Sequence, residues 1–539
     1  MIVEKNNIPT VANGVLQIPK RTVSESILEY AARVAGAYAK AVDSETRKKK
    51  GQFFSPRQIS VFMAGLFDIR QADIHLLDPG GGTGILTAAF CERILRENVV
   101  KNLSIDMYEN DPAILPFLEA TLEACQTALK RRGCKVQIRI LNRDFILSNQ
   151  GFFSETDMFL NHGQADIFYD FIISNPPYYK LNKNSLHSRT MQQLISGQPN
   201  IYMFFIALAA RLLKPGGEMV FITPRSFCSG SYYKRFREWF LNTVNLTHIH
   251  LFESRKAVFH NDDILQENII FKALKTARKD HTGTITVTTS ANGDFENLSR
   301  LKVAHEKIVR RDCESYIRIP ATPGDIEVFD IVDQWPKTFQ ELGFQISTGP
   351  VVTFRATDFL LADISRDSRA IPLLWMHNLK GLDVVWPLAK NGKPKAFLNV
   401  EASAKWVLPV KNYVLLRRFT SKEQKRRLYA SILFADGFPF PSVGIENHVN
   451  YIHKPGGTLS VDECFGIAAI LNSTLVDNYF RTVNGNTQVN ASDIRNLPFP
   501  DINAVVEIGG KVQECRSLAE INYDDILATM LDIDIEIPL

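Results

Sequence analysis

Asn175-Pro176-Pro177-Tyr178 follows directly on the apolar run Phe168-Tyr169-Asp170-Phe171-Ile172-Ile173-Ser174. These residue types suit the holding of a planar amine. If the Asn175 side-chain oxygen and the Pro176 carbonyl both accept the amine hydrogens, the nitrogen is drawn toward a pyramidal state and its lone pair is freed. Two prolines fix φ and remove competing N–H donors, which keeps those acceptors in place. Tyr178 adds an aromatic plate. The chemistry this suits is methyl transfer onto nitrogen. Attack on a sulfonium is downhill and the proton leaves afterwards, so no strong base is required.

Three further elements precede the tetrapeptide. Asp78-Pro79-Gly80-Gly81-Gly82-Thr83-Gly84 follows an apolar strand-like run and reads as a tight glycine turn beneath a small ligand, with Asp78, Gly80 and Gly82 as cofactor candidates. Its spacing is G-x-G-x-G. A dinucleotide fingerprint would need glycine where Ile85 stands. The turn therefore fits a nucleoside without pyrophosphate, such as S-adenosylmethionine. Glu109, after Ile105–Tyr108, is placed to accept from ribose hydroxyls. Asp144-Phe145, after Val136–Leu141, offers a carboxylate to an adenine amine and a ring to lie against it. An ordinary turn acid is the plain alternative for each carboxylate. What favours a site is their order at the ends of successive strands, where open α/β sheets bind ligands.

The first half alternates strand-like runs with helical segments such as Ile201–Leu213, which predicts an α/β, Rossmann-like, doubly wound sheet over residues 25–275. Residues 1–24 read as an N-terminal extension. Residues 276–319, rich in Thr, Gly, Asn and Asp, read as a connector, and 320–539 as a second, mixed α+β domain. Within it, Ser421-Lys422-Glu423-Gln424 fits a capping box opening a helix with Leu428, Ile432 and Leu433 on one side. The formal net charge of +4 hides an uneven distribution: Lys390–Arg427 holds eleven Lys and Arg against two acids, and 501–539 holds nine acids against two bases. No run of 18 apolar residues and no export signal appear, and the seven cysteines are scattered without C-x-x-C spacing. These features predict a cytoplasmic protein with no membrane span, no disulfide framework and no metal site.

With these motifs, the chain resembles the DNA adenine-N6 methyltransferases of type II restriction-modification systems, in the gamma motif order. Gly51-Gln52-Phe53-Phe54-Ser55-Pro56-Arg57 looks like that family's segment at the methionine end of the cofactor. The resemblance implies cofactor contacts from Phe54, Ser55 and Pro56, and from Asn175 as well. A base in a duplex must be extruded to reach such a pocket; Tyr178 would stack on one face of it and Phe259, at the family's second aromatic position, on the other. The stretches Tyr413–Phe419, Asn484–Asn490 and Leu497–Pro500 resemble the family's DNA-recognition domains. There Lys411, Arg417, Arg418, Lys422, Lys425, Arg426 and Arg427 are candidates to neutralise phosphates of double-stranded DNA. No acidic-acidic-lysine nuclease pattern is recognisable, so the expectation is a monomeric modification enzyme with a separate restriction endonuclease as partner. Adenine is favoured over cytosine N4, the alternative target, because cytosine enzymes more often carry Ser where Asn175 stands. A protein glutamine or an RNA guanine ranks lower, since those enzymes are typically shorter and lack a large C-terminal half with a basic block.

Overall fold

The computed structural model describes residues 17–153, 168–253, 267–276, 283–291, 295–311, 314–364, 367–388, 392–420, 423–515 and 521–533, the side chains of residues 48 and 49 excepted. Two compact units meet at Ala321 and Thr322.

The first unit is built on a nine-stranded sheet. Its strands are β1 (Asp73–Asp78), β2 (Asn102–Tyr108), β3 (Lys135–Leu141), β4 (Tyr169–Ser174), β5 (Leu213–Pro224), β6 (Asn245–Phe252), β7 (Asn268–Leu274), β8 (Thr284–Ser290) and β9 (Ser299–Ala304). They lie in the order β3-β2-β1-β4-β5-β7-β6-β8-β9. The first five run parallel, with Leu76 opposite Phe171 and Leu77 opposite Asp106, while β7 is antiparallel to both β5 and β6. Leu76, Leu77, Ile105, Ile172 and Ile173 are fully buried, as the near-continuous apolar runs of a sheet covered on both faces should be. The chain order reverses at β1, so β1 and β4 form the switch point where ligands bind outside the strands' carboxyl ends.

The expected connector over 276–319 is corrected. β8 pairs in parallel with β6 and β9 pairs antiparallel with β8, extending the sheet. The cause is the residue type: Thr284-Ile285-Thr286-Val287-Thr288-Thr289 reads as loop by polarity, yet every member is β-branched and Ile285 and Val287 are buried in the sheet.

The second unit holds a six-stranded and a five-stranded sheet, with helices at Val461–Asn472 and Ile502–Gln513. The helix expected after residue 421 is not formed among the described residues there. Ala430–Leu433 is instead a buried strand antiparallel to Tyr413–Arg417. Helix formation is preempted because the N–H groups of Arg427 and Leu428 both donate to Asp477 Oδ1 at 2.7 Å. No described helix is long and apolar enough to cross a membrane.

The two helices approach through glycine: a Cβ on Gly466 would stand 1.9 Å from the Val505 carbonyl oxygen. Gly466→Ala should cost roughly 1–3 kcal/mol or more by overpacking, read as a lowered urea midpoint; an unchanged midpoint would mean the helices separate without cost.

Candidate methyl-transfer site

At the carboxyl ends of β1 to β4 lies a cavity of about 590 Å³. Five separate stretches of sequence wall it: residues 50–55, 79–86, 108–114, 143–145 and 175–205 in part. Of the residues expected at the cofactor, Phe54, Ser55, Gly80, Gly82, Glu109, Asp144, Phe145 and Asn175 line it, whereas Asp78 and Pro56 do not. Asp78 is fully buried under the turn, with Oδ2 accepting from Thr87 Oγ1 at 3.0 Å. Pro56 is exposed at the N-terminal end of the helix Arg57–Gly65. Each stands at an element boundary: Asp78 ends β1 and Pro56 caps the start of that helix.

The turn positions its own ligands. Gly82 adopts φ +53, a left-handed conformation that favours glycine, and its N–H donates to Glu109 Oε2 at 3.0 Å. Glu109 Oε1 accepts from Asp111 N at 2.8 Å. Burial raises the Glu109 pKa, against which these backbone donors act. Each of its oxygens keeps acceptor capacity for a hydroxyl. Asp144 caps the short helix Phe145–Ser148, accepting from Leu147 N at 2.8 Å, and its Oδ2 meets His187 Nε2 at 2.9 Å. Burial works to raise its pKa, but those hydrogen bonds prevail and hold it below the usual range. Phe145 is fixed among aromatic rings, 5.0 Å from Tyr108 and 5.2 Å from Phe205.

The tetrapeptide divides. Asn175 and Pro177 line the cavity, and Pro176 and Tyr178 are buried beside them in the chain. Asn175 Nδ2 donates to the Phe53 carbonyl at 2.7 Å and to Ser55 Oγ at 3.1 Å, and Oδ1 accepts from the Tyr178 hydroxyl at 2.5 Å. The Tyr178 ring is nearly parallel to Phe53 with centroids 5.9 Å apart and perpendicular to Tyr202 at 6.2 Å, and the residue is buried. The exposed aromatic at the cavity is Tyr179. Phe259 lies outside the described residues.

Several participants were missed from sequence. Asp111 Oδ2 gathers Lys50 Nζ at 2.7 Å and Gln52 Nε2 at 2.8 Å, tying residues 50–52 to the end of β2. Gln52 stands inside the quoted 51–57 motif and Asp111 in the Glu109-Asn110-Asp111-Pro112 turn, so proximity in sequence was the available signal. His187 carried none.

In the second unit, Arg427 is withdrawn from the DNA-binding set. It is buried, its guanidinium donating to Thr420 Oγ1, Asn484 and the Asn486 carbonyl. Arg417 lies 3.8 Å over the Tyr429 ring and donates to the Leu379 carbonyl at 2.6 Å; Arg418 and Lys411 are half-buried and donate to the carbonyls of Asn447 and Gly457. Arg426 is half-buried, Lys425 is exposed, and Lys422 lies outside the described residues.

The lining suits a cationic nucleoside: the carboxylates of Glu109 and Asp144, aromatic walls, and the buried Thr83 Oγ1 and Gln52 Oε1 without partners at the wall. Strand order, glycine turn and cavity together give a Rossmann-like, doubly wound fold with a site that suits S-adenosylmethionine, the architecture of a methyltransferase. The sequence profile of the Eco57I restriction-modification methylase family matches residues 107–259. The type II methyltransferase M.BsuBI of Bacillus subtilis is 34% identical over 495 residues, spanning 90% of this chain and 95% of that protein. M.PstI of Providencia stuartii is 35% identical over 495 residues, with 91% and 95% spanned. Among solved structures, the type IIG restriction endonuclease BpuSI aligns at a TM-score of 0.41 and 14% identity, over 94% of this chain and 68% of that one. The chain belongs to the type II DNA methyltransferases of restriction-modification systems.

Three variants test how burial divides the charges. Burial lifts the Asp78 pKa from 3.8 to about 7. Its contribution to stability is thus present below pH 3.8 and lost as pH rises through about 7. Asp78→Asn keeps an acceptor for Thr87 and should flatten the fall in stability over that window in urea titrations; an equal slope in both proteins would remove the assignment. Arg427→Met should destabilise by roughly 1.5–3 kcal/mol without altering the salt slope of DNA binding. Lys425→Glu should do the reverse, reducing that slope by about 1.

Proposed function

We propose that this chain transfers a methyl group from S-adenosylmethionine to the exocyclic N6 amine of an adenine extruded from double-stranded DNA. It would be the modification half of a system whose separate endonuclease cuts the same site. The observation that carries the reading is Asn175, whose residue lines the cavity with its nitrogen end committed to Phe53 and Ser55, so that its oxygen, which accepts from the Tyr178 hydroxyl, is the end left with acceptor capacity.

S-adenosylmethionine supplies, when bound, an electrophilic methyl on a sulfonium sulfur. Glu109 accepts from the ribose hydroxyls, and Asp144 with Phe145 takes the adenine end. The Asn175 oxygen and the Pro176 carbonyl accept the amine hydrogens of the target base, turning its lone pair toward the methyl group. The apolar wall of Phe54, Phe145 and Phe205 excludes water from the reacting groups. A base that stacks on Tyr178 would do so beside the Phe53 ring, which lies nearly parallel to it at 5.9 Å. Phe259 would meet the opposite face. In the second unit, Lys425, Arg426 and the accessible parts of Arg418 and Lys411 supply phosphate contacts, which position the enzyme without specifying a sequence.

The test is transfer of labelled methyl to unmodified genomic DNA, followed by digestion to nucleosides. Label in N6-methyldeoxyadenosine is expected. Label in N4-methyldeoxycytidine overturns the choice of base, and no label in DNA overturns the reading. Asn175→Ala should lower kcat by about a hundredfold or more.

A further inference from the structure

A carboxamide has two ends of opposite character, and only the oxygen end accepts an amine hydrogen. Which end of Asn175 faces the substrate is decided by a segment 120 or more residues earlier in the chain. The Phe53 carbonyl, 2.7 Å from Nδ2, can only accept. Turning the amide over would set its oxygen against the Phe53 carbonyl oxygen and lose that hydrogen bond, whereas the Ser55 hydroxyl, donor as well as acceptor, holds whichever end the carbonyl selects. Ser55, 4% exposed, holds its Oγ 3.1 Å from the same nitrogen. At the other end the Tyr178 hydroxyl, kept protonated by burial, donates to Oδ1 and is shared with the Ile222 carbonyl at 2.9 Å. One lone pair of Oδ1 remains for the amine.

The segment is seated by a close backbone approach. Gly51 adopts φ +66, and a Cβ there would lie 3.0 Å from both Tyr178 N and a Tyr179 ring carbon. Residues 51–55 thus press on the tetrapeptide as well as lining the cavity.

We propose that Gly51–Ser55 is the orienting frame of the acceptor amide, with Ser55 and the Phe53 carbonyl as the positioning groups that aim the Asn175 oxygen at the substrate. This rests on the reading that Asn175 accepts the amine. It is separate from the cofactor contact that resemblance assigns to Ser55, and the two roles differ in what they change. An orienting role lowers the rate at saturation; a cofactor contact weakens S-adenosylmethionine binding.

Methyl-transfer kinetics on DNA and calorimetric S-adenosylmethionine binding are measured for the parent, Ser55→Ala, Ser55→Thr and Gly51→Ala. Ser55→Ala should lower kcat about five- to tenfold, with the cofactor Kd and the DNA KM within about twofold of the parent, and Ser55→Thr should restore the rate. Gly51→Ala keeps every hydrogen-bonding group yet lifts the frame off the tetrapeptide, and should also lower kcat; if it does not fold, the Ser55 pair decides. A weaker cofactor Kd with an unchanged saturated rate overturns the proposal, as does a Ser55→Ala rate equal to the parent's. A parent that methylates no DNA overturns the acceptor reading itself, and the frame with it. An active parent with unaffected variants overturns only the frame.

Discussion

Strands β1 and β4 lie side by side in parallel at the point where the chain reverses its direction of travel across the sheet, with Leu76 opposite Phe171 and Leu77 opposite Ile172. Their carboxyl ends therefore open at one edge. The glycine turn leaves β1 and the Asn175 tetrapeptide leaves β4 within reach of one cavity. The glycine turn and the Asn175 tetrapeptide, separated by about ninety residues, become neighbours through this pairing. The β2 and β3 ends add Glu109 and Asp144 by the same parallel logic.

The site's carboxylates show how burial and hydrogen bonding divide the electrostatics. Asp78 is buried with little compensation and is pushed up to about 7; it holds the turn and stays away from the cavity. Glu109 is raised less decisively because two backbone N–H groups accompany it. Asp144 sits lower because His187 and Leu147 offset its burial. The carboxylates at the cavity are thus those given donors to share, as acceptors for a polar ligand must be.

The basic block of the second unit carries a different lesson. Positive charge in a sequence measures opportunity for phosphate contact, but a guanidinium with five donors is equally a fastener for carbonyls. Arg427 serves the loop Asn484–Asn486, and Arg417 a tyrosine ring and the Leu379 carbonyl. Lys425, exposed and next but one to Arg427, keeps its charge for solvent or a partner.

The sequence by itself determined the motifs of the family and their order along the chain. Asn175-Pro176-Pro177-Tyr178, the G-x-G-x-G turn, Glu109 and Asp144-Phe145 were legible because each is a short contiguous motif at a strand end, where local spacing settles geometry. The alternation of apolar strands and helices disclosed the doubly wound sheet for the same reason. Only the tertiary structure decided that 284–304 joins that sheet, that Ala430–Leu433 is a strand, that Arg427 is buried, and that Phe53 both lies alongside Tyr178 and fixes the Asn175 amide. These depend on pairings between residues far apart: Asn175 and Phe53 stand 122 positions from each other, and Arg427 and Asn486 stand 59. A motif states what a side chain can donate or accept. Which partner it meets is set by the chain that folds over it.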